Sequence, residues 1–170
     1  EIYDILPSEE INVYVMEKYE MNLQEDKSKD GIHIIFTLSM HKAEQVILRK
    51  KIINDIGQIW DNLPIINTFD EVFDEGVTKG FVNWQLFGSR KPGNKAYDLT
   101  YYFTMVYDKE DDTWELKENN VSKLNILEHL PIMCARNSNH KKFDLLDNKY
   151  LLEAIDEEKN DLLSKEYKKP

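Results

Sequence analysis

Residues 29–38 read Lys29-Asp30-Gly31-Ile32-His33-Ile34-Ile35-Phe36-Thr37-Leu38, and this stretch decides the fold. Lys27 to Gly31 is a polar turn. The near-continuous apolar run Ile32 to Leu38 that follows is too short for a stable helix and suits a central strand. His33 interrupts it. A strand of period two sends Ile32 and Ile34 to one face and His33 and Ile35 to the other, so the imidazole shares a face with apolar neighbours and needs a partner there.

Upstream, Ile11-Asn12-Val13-Tyr14-Val15-Met16 alternates and is β-branched, which predicts a second strand. Downstream, Ser39 can cap a helix over residues 41–63, in which Val46, Ile53, Ile56, Trp60 and Leu63 recur at helical spacing before Pro64 stops it. Residues 65–80 read as an irregular stretch with turns at Asp74-Glu75-Gly76 and Lys79-Gly80. Phe81 to Phe87 reads as a strand, Gly88 to Lys95 as a loop, and Tyr97 to Tyr107 as a long strand of aromatic and Thr residues. A hairpin turn at Asp108–Asp112 leads to a strand at Thr113–Lys117. Ser122–Leu130 and the very polar Leu145–Lys165 read as helices. This order predicts an α+β domain, a mainly antiparallel sheet backed by helices. Residues 1–143 form the core portion and residues 144–170 a polar helical tail or linker.

The chain has 170 residues, 41% of them hydrophobic, enough for one sizeable core. No apolar run of membrane-spanning length and no charged-then-apolar leader is visible, so a soluble, intracellular protein is expected, without a membrane partner. The single cysteine, Cys134, makes neither an internal disulfide nor a cysteine-rich metal site. The net charge of -10 sits awkwardly with nucleic-acid binding, which rests on Lys and Arg. Distribution matters more than balance. Acid gathers at the opening residues, at Asp108 with Glu110, Asp111 and Asp112, and at Asp156, Glu157 and Glu158. Three basic groups stand elsewhere: Arg49 with Lys50 and Lys51, Arg90 with Lys91, and Arg136 with Lys141 and Lys142. They could line a groove, although a solvated face is the commoner fate of such runs.

Three features carry candidate chemistry. His33 is either a core histidine bonded to a backbone carbonyl, or a donor toward phosphate or a general acid/base. Asp74, with Asp70 before it, sits just ahead of a glycine turn, from which a carboxylate can reach a hard cation, and Asp before Gly is equally ordinary turn chemistry. The segment Asn83-Trp84-Gln85-Leu86-Phe87-Gly88-Ser89-Arg90-Lys91-Pro92-Gly93 joins polar Asn and Gln to a loop of glycine, hydroxyl and two cations, which suits phosphate or nucleotide recognition. It is not a Walker P-loop, since no Gly-x-x-x-x-Gly-Lys-Ser/Thr pattern occurs.

In order and spacing, the run from Lys29 to Ile35, the long helix, Val72-Phe73-Asp74-Glu75-Gly76, and the block Asn83 to Pro92 together resemble the archaeo-eukaryotic primase domain found in the primase-helicase proteins of large nucleocytoplasmic DNA viruses. The likeness spans roughly residues 13–107. It implies a primase core in which His33 contacts the triphosphate of the incoming nucleotide and Asp74 completes a site for Mg2+ or Mn2+. It also implies that Gln85, Ser89, Arg90 and Lys91 bind nucleotide or template. The activity so implied is metal-dependent transfer of nucleotides to a primer 3′-hydroxyl. The implied partners are nucleoside triphosphates, a single-stranded DNA template and a helicase domain of the same polypeptide, in host cytoplasm or nucleus.

One departure stands against this. The family pattern places an Asp-x-Asp pair on a strand before the histidine motif, and residues 1–28 hold none: Asp4 has no partner two positions away, and Glu9 and Glu10 are adjacent. Either the chain begins downstream of the pair, which Glu1 in place of Met favours, or it is a non-catalytic nucleic-acid- or protein-binding relative that uses the basic loop with Trp84 and Phe87.

Overall fold

The computed structural model describes residues 10–23, 28–79, 84–108, 110–111, 113–134, 141–142 and 149–166. In chain order the elements are β1 (Ile11–Lys18), β2 (Asn22–Leu23), β3 (Ser28–Lys29), β4 (Ile32–Phe36), β5 (Leu38–Ser39), α1 (Lys42–Ile59), α2 (Phe69–Val72), α3 (Glu75–Lys79), β6 (Tyr97–Asp108), β7 (Thr113–Asn119), α4 (Ile126–His129), β8 (Lys141–Lys142) and α5 (Lys149–Glu166). They fall into two compact units, residues 1–39 with 85–144 and residues 40–84 with 145–170.

The first unit is built on a four-stranded sheet of order β4-β1-β6-β7, antiparallel at every pairing. The α+β architecture read from the sequence is the one observed. β1 is central, with Tyr14 opposite Ile35 and Met16 opposite His33 on one side and Tyr14 opposite Tyr102 on the other. One face of the sheet therefore carries His33, Ile35, Tyr14, Met16 and Tyr102. Tyr14, Met16 and Ile35 are buried, as is Met133, and each such side chain contributes about 1.5–3 kcal/mol relative to exposure. The opposite face bears Ile32, Ile34, Phe36, Tyr101 and Leu116, all exposed.

Several polar groups among these strands are bonded in pairs. Tyr102 donates its hydroxyl to Asn12 Oδ1 at 2.8 Å, and Asn119 Nδ2 donates to Thr104 Oγ1 at 2.8 Å. The Tyr14 hydroxyl lies 2.8 Å from His129 Nδ1, and Tyr14 and Tyr102 stack at 5.0 Å between ring centroids. Burial, then the neighbouring Tyr102, pushes the Tyr14 phenol well above its ordinary value.

A register shift between Val15 and Met16 in the β1–β6 pairing has the largest consequence for function. Val15 faces Tyr101, yet Met16 faces Leu99, so that Lys18 comes opposite Tyr97 rather than Asp98. Side chains alternate along a strand, and this one-residue bulge turns the start of β6 over. It puts Tyr97 on the face of His33 and Asp98 on the other.

In the second unit α1 packs against α5, α3 and α2. His41 caps α1 in a reciprocal box with Glu44, and Ser39 instead pairs with Lys142 in a short parallel bridge, so the helix begins later than the Ser39 reading predicts. It also stops at Trp60, short of Leu63. Two short helices, α2 and α3, stand within the stretch read as irregular: Thr68 and Glu71 form a second capping box that nucleates α2. Gly57 gives the Phe69 ring room against α1, since a Cβ there would meet it at 3.2 Å.

Two further expectations are corrected. Trp84, Gln85 and Leu86 are not in a strand; the Leu86 carbonyl accepts from Ser89 N at 3.0 Å, which closes a turn instead. Phe81, Val82 and Asn83 lie outside the described residues, as does Arg136. The expected helix 122–130 is broken into a 3-10 turn at Val121–Lys123 and α4, with Leu124 extended between them. Asn120 caps the first piece by accepting from Ser122 N, and Asn125 precedes the second.

Candidate functional site

His33 sits on β4 with its ring half-buried. Its Nδ1 lies 2.6 Å from the backbone carbonyl of Gln85. A carbonyl oxygen only accepts, so Nδ1 carries the proton and donates. The opposite ring nitrogen, Nε2, is then the one through which any contact with a phosphate oxygen must run. The ring stacks on Tyr97 with centroids 4.1 Å apart and planes 15° off parallel, and Lys18 Nζ stands 5.0 Å from the centroid of the Tyr97 ring. Tyr97 is buried; burial and then the nearby Asp30 carboxylate raise its phenol above the ordinary value, keeping it neutral.

The loop that supplies Gln85 is held by Tyr97 as well. Gly88 N donates to Tyr97 O at 2.7 Å, and Tyr97 N donates to Ser89 O at 3.2 Å. Ser89 Oγ donates to Leu86 O at 2.7 Å. Gly88 and Gly93 take φ of 72° and 78°, the left-handed region that glycine enters without strain. Between them Arg90 and Lys91 are exposed. The structure thus brings together His33, Gln85 and Ser89 around Tyr97 and sets Arg90 and Lys91 on the same loop. Gln85 acts on His33 through its backbone carbonyl rather than through the side-chain amide singled out in the sequence.

Asp74 belongs to the second unit. It is exposed, and Oδ1 accepts from Gly76 N at 2.8 Å, capping the start of α3. The turn is pinned from α1: Arg49 Nε donates to Phe73 O at 2.7 Å, while Nη2 donates to Asp70 O at 2.7 Å and Asp70 Oδ1 at 3.1 Å. Lys50 pairs with Glu158 at 2.7 Å. These two members of the first basic group are therefore engaged within the fold. Asp74 offers one carboxylate to a hard cation. Among the described residues no group of three or more His, Cys, Asp or Glu side chains could hold a metal ion, so these residues do not by themselves make a complete site for one. No helix among the described residues is long and apolar enough to cross a membrane.

Residues 1–103 match the family described as "C962R protein N-terminal AEP domain", AEP being the archaeo-eukaryotic primase domain. The chain belongs to that family. A mimivirus protein from Acanthamoeba polyphaga mimivirus, named "Putative helicase L207/L206", is 29% identical over 147 residues, which cover 84% of this chain and 15% of the relative. The chain spans a small part of that relative's length. Its family match makes it a primase-related segment.

Within the primase family, the match contains β1, β4, α1 and the His33, Asp74 and Arg90 segments. Tyr97 is the residue that sequence reasoning missed. It reads there as one more aromatic at the head of a strand, and only the bulge opposite Val15 and Met16 sets it beneath His33. Arg49 was noticed as charge, not as the clamp on the Asp74 turn.

Proposed function

We propose that this chain is the part of a viral primase core that holds the triphosphate of an incoming nucleotide for addition to a primer. His33 is the phosphate contact. Gln85, Ser89, Arg90 and Lys91 form the nucleotide- and template-facing loop, and Asp74 gives one carboxylate toward the Mg2+ or Mn2+ ion that the family implies. The observation that carries this reading is the histidine itself, in a matched primase segment with its Nδ1 proton committed to the Gln85 carbonyl.

In the reaction proposed, the primer 3′-oxygen forms a bond to the α-phosphorus. The bond from that phosphorus to its leaving oxygen breaks, and pyrophosphate departs. The chain's residues bind and orient. Since Nδ1–H is used, Nε2 can donate to a phosphate oxygen only when the imidazole is protonated. The divalent ion would supply charge neutralisation on the phosphates. Residues 1–143 form the core portion and 144–170 a polar helical tail or linker, with a helicase domain in the same polypeptide, single-stranded DNA as template, and host cytoplasm or nucleus as the place of action.

Manganese-dependent primer synthesis by the longer polypeptide that carries this segment tests the reading, with His33→Ala and Asp74→Ala as controls. Both variants should lose activity. Full activity in both would retire the assignment in favour of a non-catalytic, nucleic-acid- or protein-binding domain derived from a primase.

A further inference from the structure

The smallness of residue 31 and the orientation of His33 have one cause. The Tyr97 hydroxyl lies 2.8 Å from where a Cβ on residue 31 would stand, closer than real Cβ contacts come. The next atom of that side chain, Cζ, is at 3.9 Å, an ordinary contact. Tyr97 is 5% exposed, and its backbone is tied at both N and O to the Gly88–Ser89 turn. It therefore cannot step aside cheaply. The phenol reaches across Lys18, lies flat on the His33 ring and ends over Gly31. The same turn follows Gln85, whose carbonyl takes the Nδ1 proton.

We propose that Tyr97 is the positioning residue for His33: its ring fixes the imidazole plane, its backbone holds the carbonyl that sets the tautomer, and its hydroxyl is the reason that position 31 must be glycine. This rests on the reading of His33 as a triphosphate contact, which it deepens by naming what aims the ring. A side chain whose plane and tautomer are both fixed before the ligand arrives loses less freedom on binding.

The test compares Gly31→Ala, Tyr97→Phe, the double variant and Tyr97→Leu. Each is observed by the 15N and ring-proton resonances of His33 and by titration with Mg·ATP. Tyr97→Phe keeps the ring and should leave the His33 resonances as in wild type. Gly31→Ala forces the phenol off its seat and should shift the His33 resonances and weaken ATP by about tenfold. Adding Tyr97→Phe removes the clashing oxygen and should restore both. Tyr97→Leu should shift the resonances and weaken ATP as Gly31→Ala does.

An unperturbed His33 spectrum in Gly31→Ala and Tyr97→Leu, or a double variant no better than Gly31→Ala, overturns the proposal. If wild type binds no ATP while the His33 resonances follow the expected pattern, the positioning stands and the triphosphate reading fails.

Discussion

Arg49 offers the sharpest test of how the fold presents Asp74. Its side chain is 11% exposed, whereas that of Asp70 is 75% exposed. The ion pair between them is thus largely solvated and is worth about 0–1 kcal/mol. The bonds to the carbonyls of Phe73 and Asp70, each 2.7 Å, are the substantial ones, because charge-assisted hydrogen bonds contribute about 1.5–3 kcal/mol apiece. Water reaches the freed carbonyls once the guanidinium is gone, so Arg49→Ala should cost about 2–3 kcal/mol in total. Asp70→Ala leaves both carbonyl bonds in place and should cost less than about 1 kcal/mol.

Arg49→Lys keeps the charge but not the planar fork, and should recover under half of the loss. Urea denaturation gives the energies, with the fluorescence of Trp60, stacked on Phe73 at 6.0 Å, as a local reporter. Hydrogen exchange should rise at Phe73, Gly76 and Val77, whose amides are bonded within this turn. Equal costs for Arg49→Ala and Asp70→Ala, or a wild-type Arg49→Lys, would refute the reasoning.

Two further predictions concern pH and capping. Burial raises the Tyr14 phenol above its unfolded value, so its contribution to stability is complete below about pH 10 and is lost as pH climbs toward the folded value; Tyr14→Phe should remove that alkaline loss in a pH series of melting temperatures. The Glu71 carboxyl is lowered, first by the Thr68 backbone N–H and then by the Thr68 and Asn67 side chains, so its support of α2 is present above the unfolded value and fades as pH falls through the folded one. Thr68→Ala should cost about 1 kcal/mol at neutral pH and, since the backbone N–H remains, only reduce the acid-side loss in the same series.

The sheet was legible because its chemistry is local. Alternation in Ile11–Met16 and Tyr97–Tyr107, the apolar run after Gly31 and the Asp108 turn, whose Oδ1 accepts from Glu110 N, each state their own structure. What escaped depended on distant or competing bonds. Thr68-x-x-Glu71 was a readable capping signal that the glycines nearby obscured. Ser39 looked like a cap, but the bridge to Lys142 claims its backbone. Trp84–Phe87 has strand composition, yet its carbonyls serve His33 and Ser89. As for the site, His33, Ser89 and the basic loop were readable from residue type, while Tyr97 was not, because a bulge in the β1–β6 register leaves no mark on alternation in either strand alone.

The central claim is that His33 contacts the triphosphate of a bound nucleotide. Paramagnetic broadening of the His33 ring protons during titration with Mn·ATP tests this most directly, with Mg·ATP as the diamagnetic reference. The account predicts selective broadening of the His33 resonances. Sharp His33 resonances with Mn·ATP bound would contradict it.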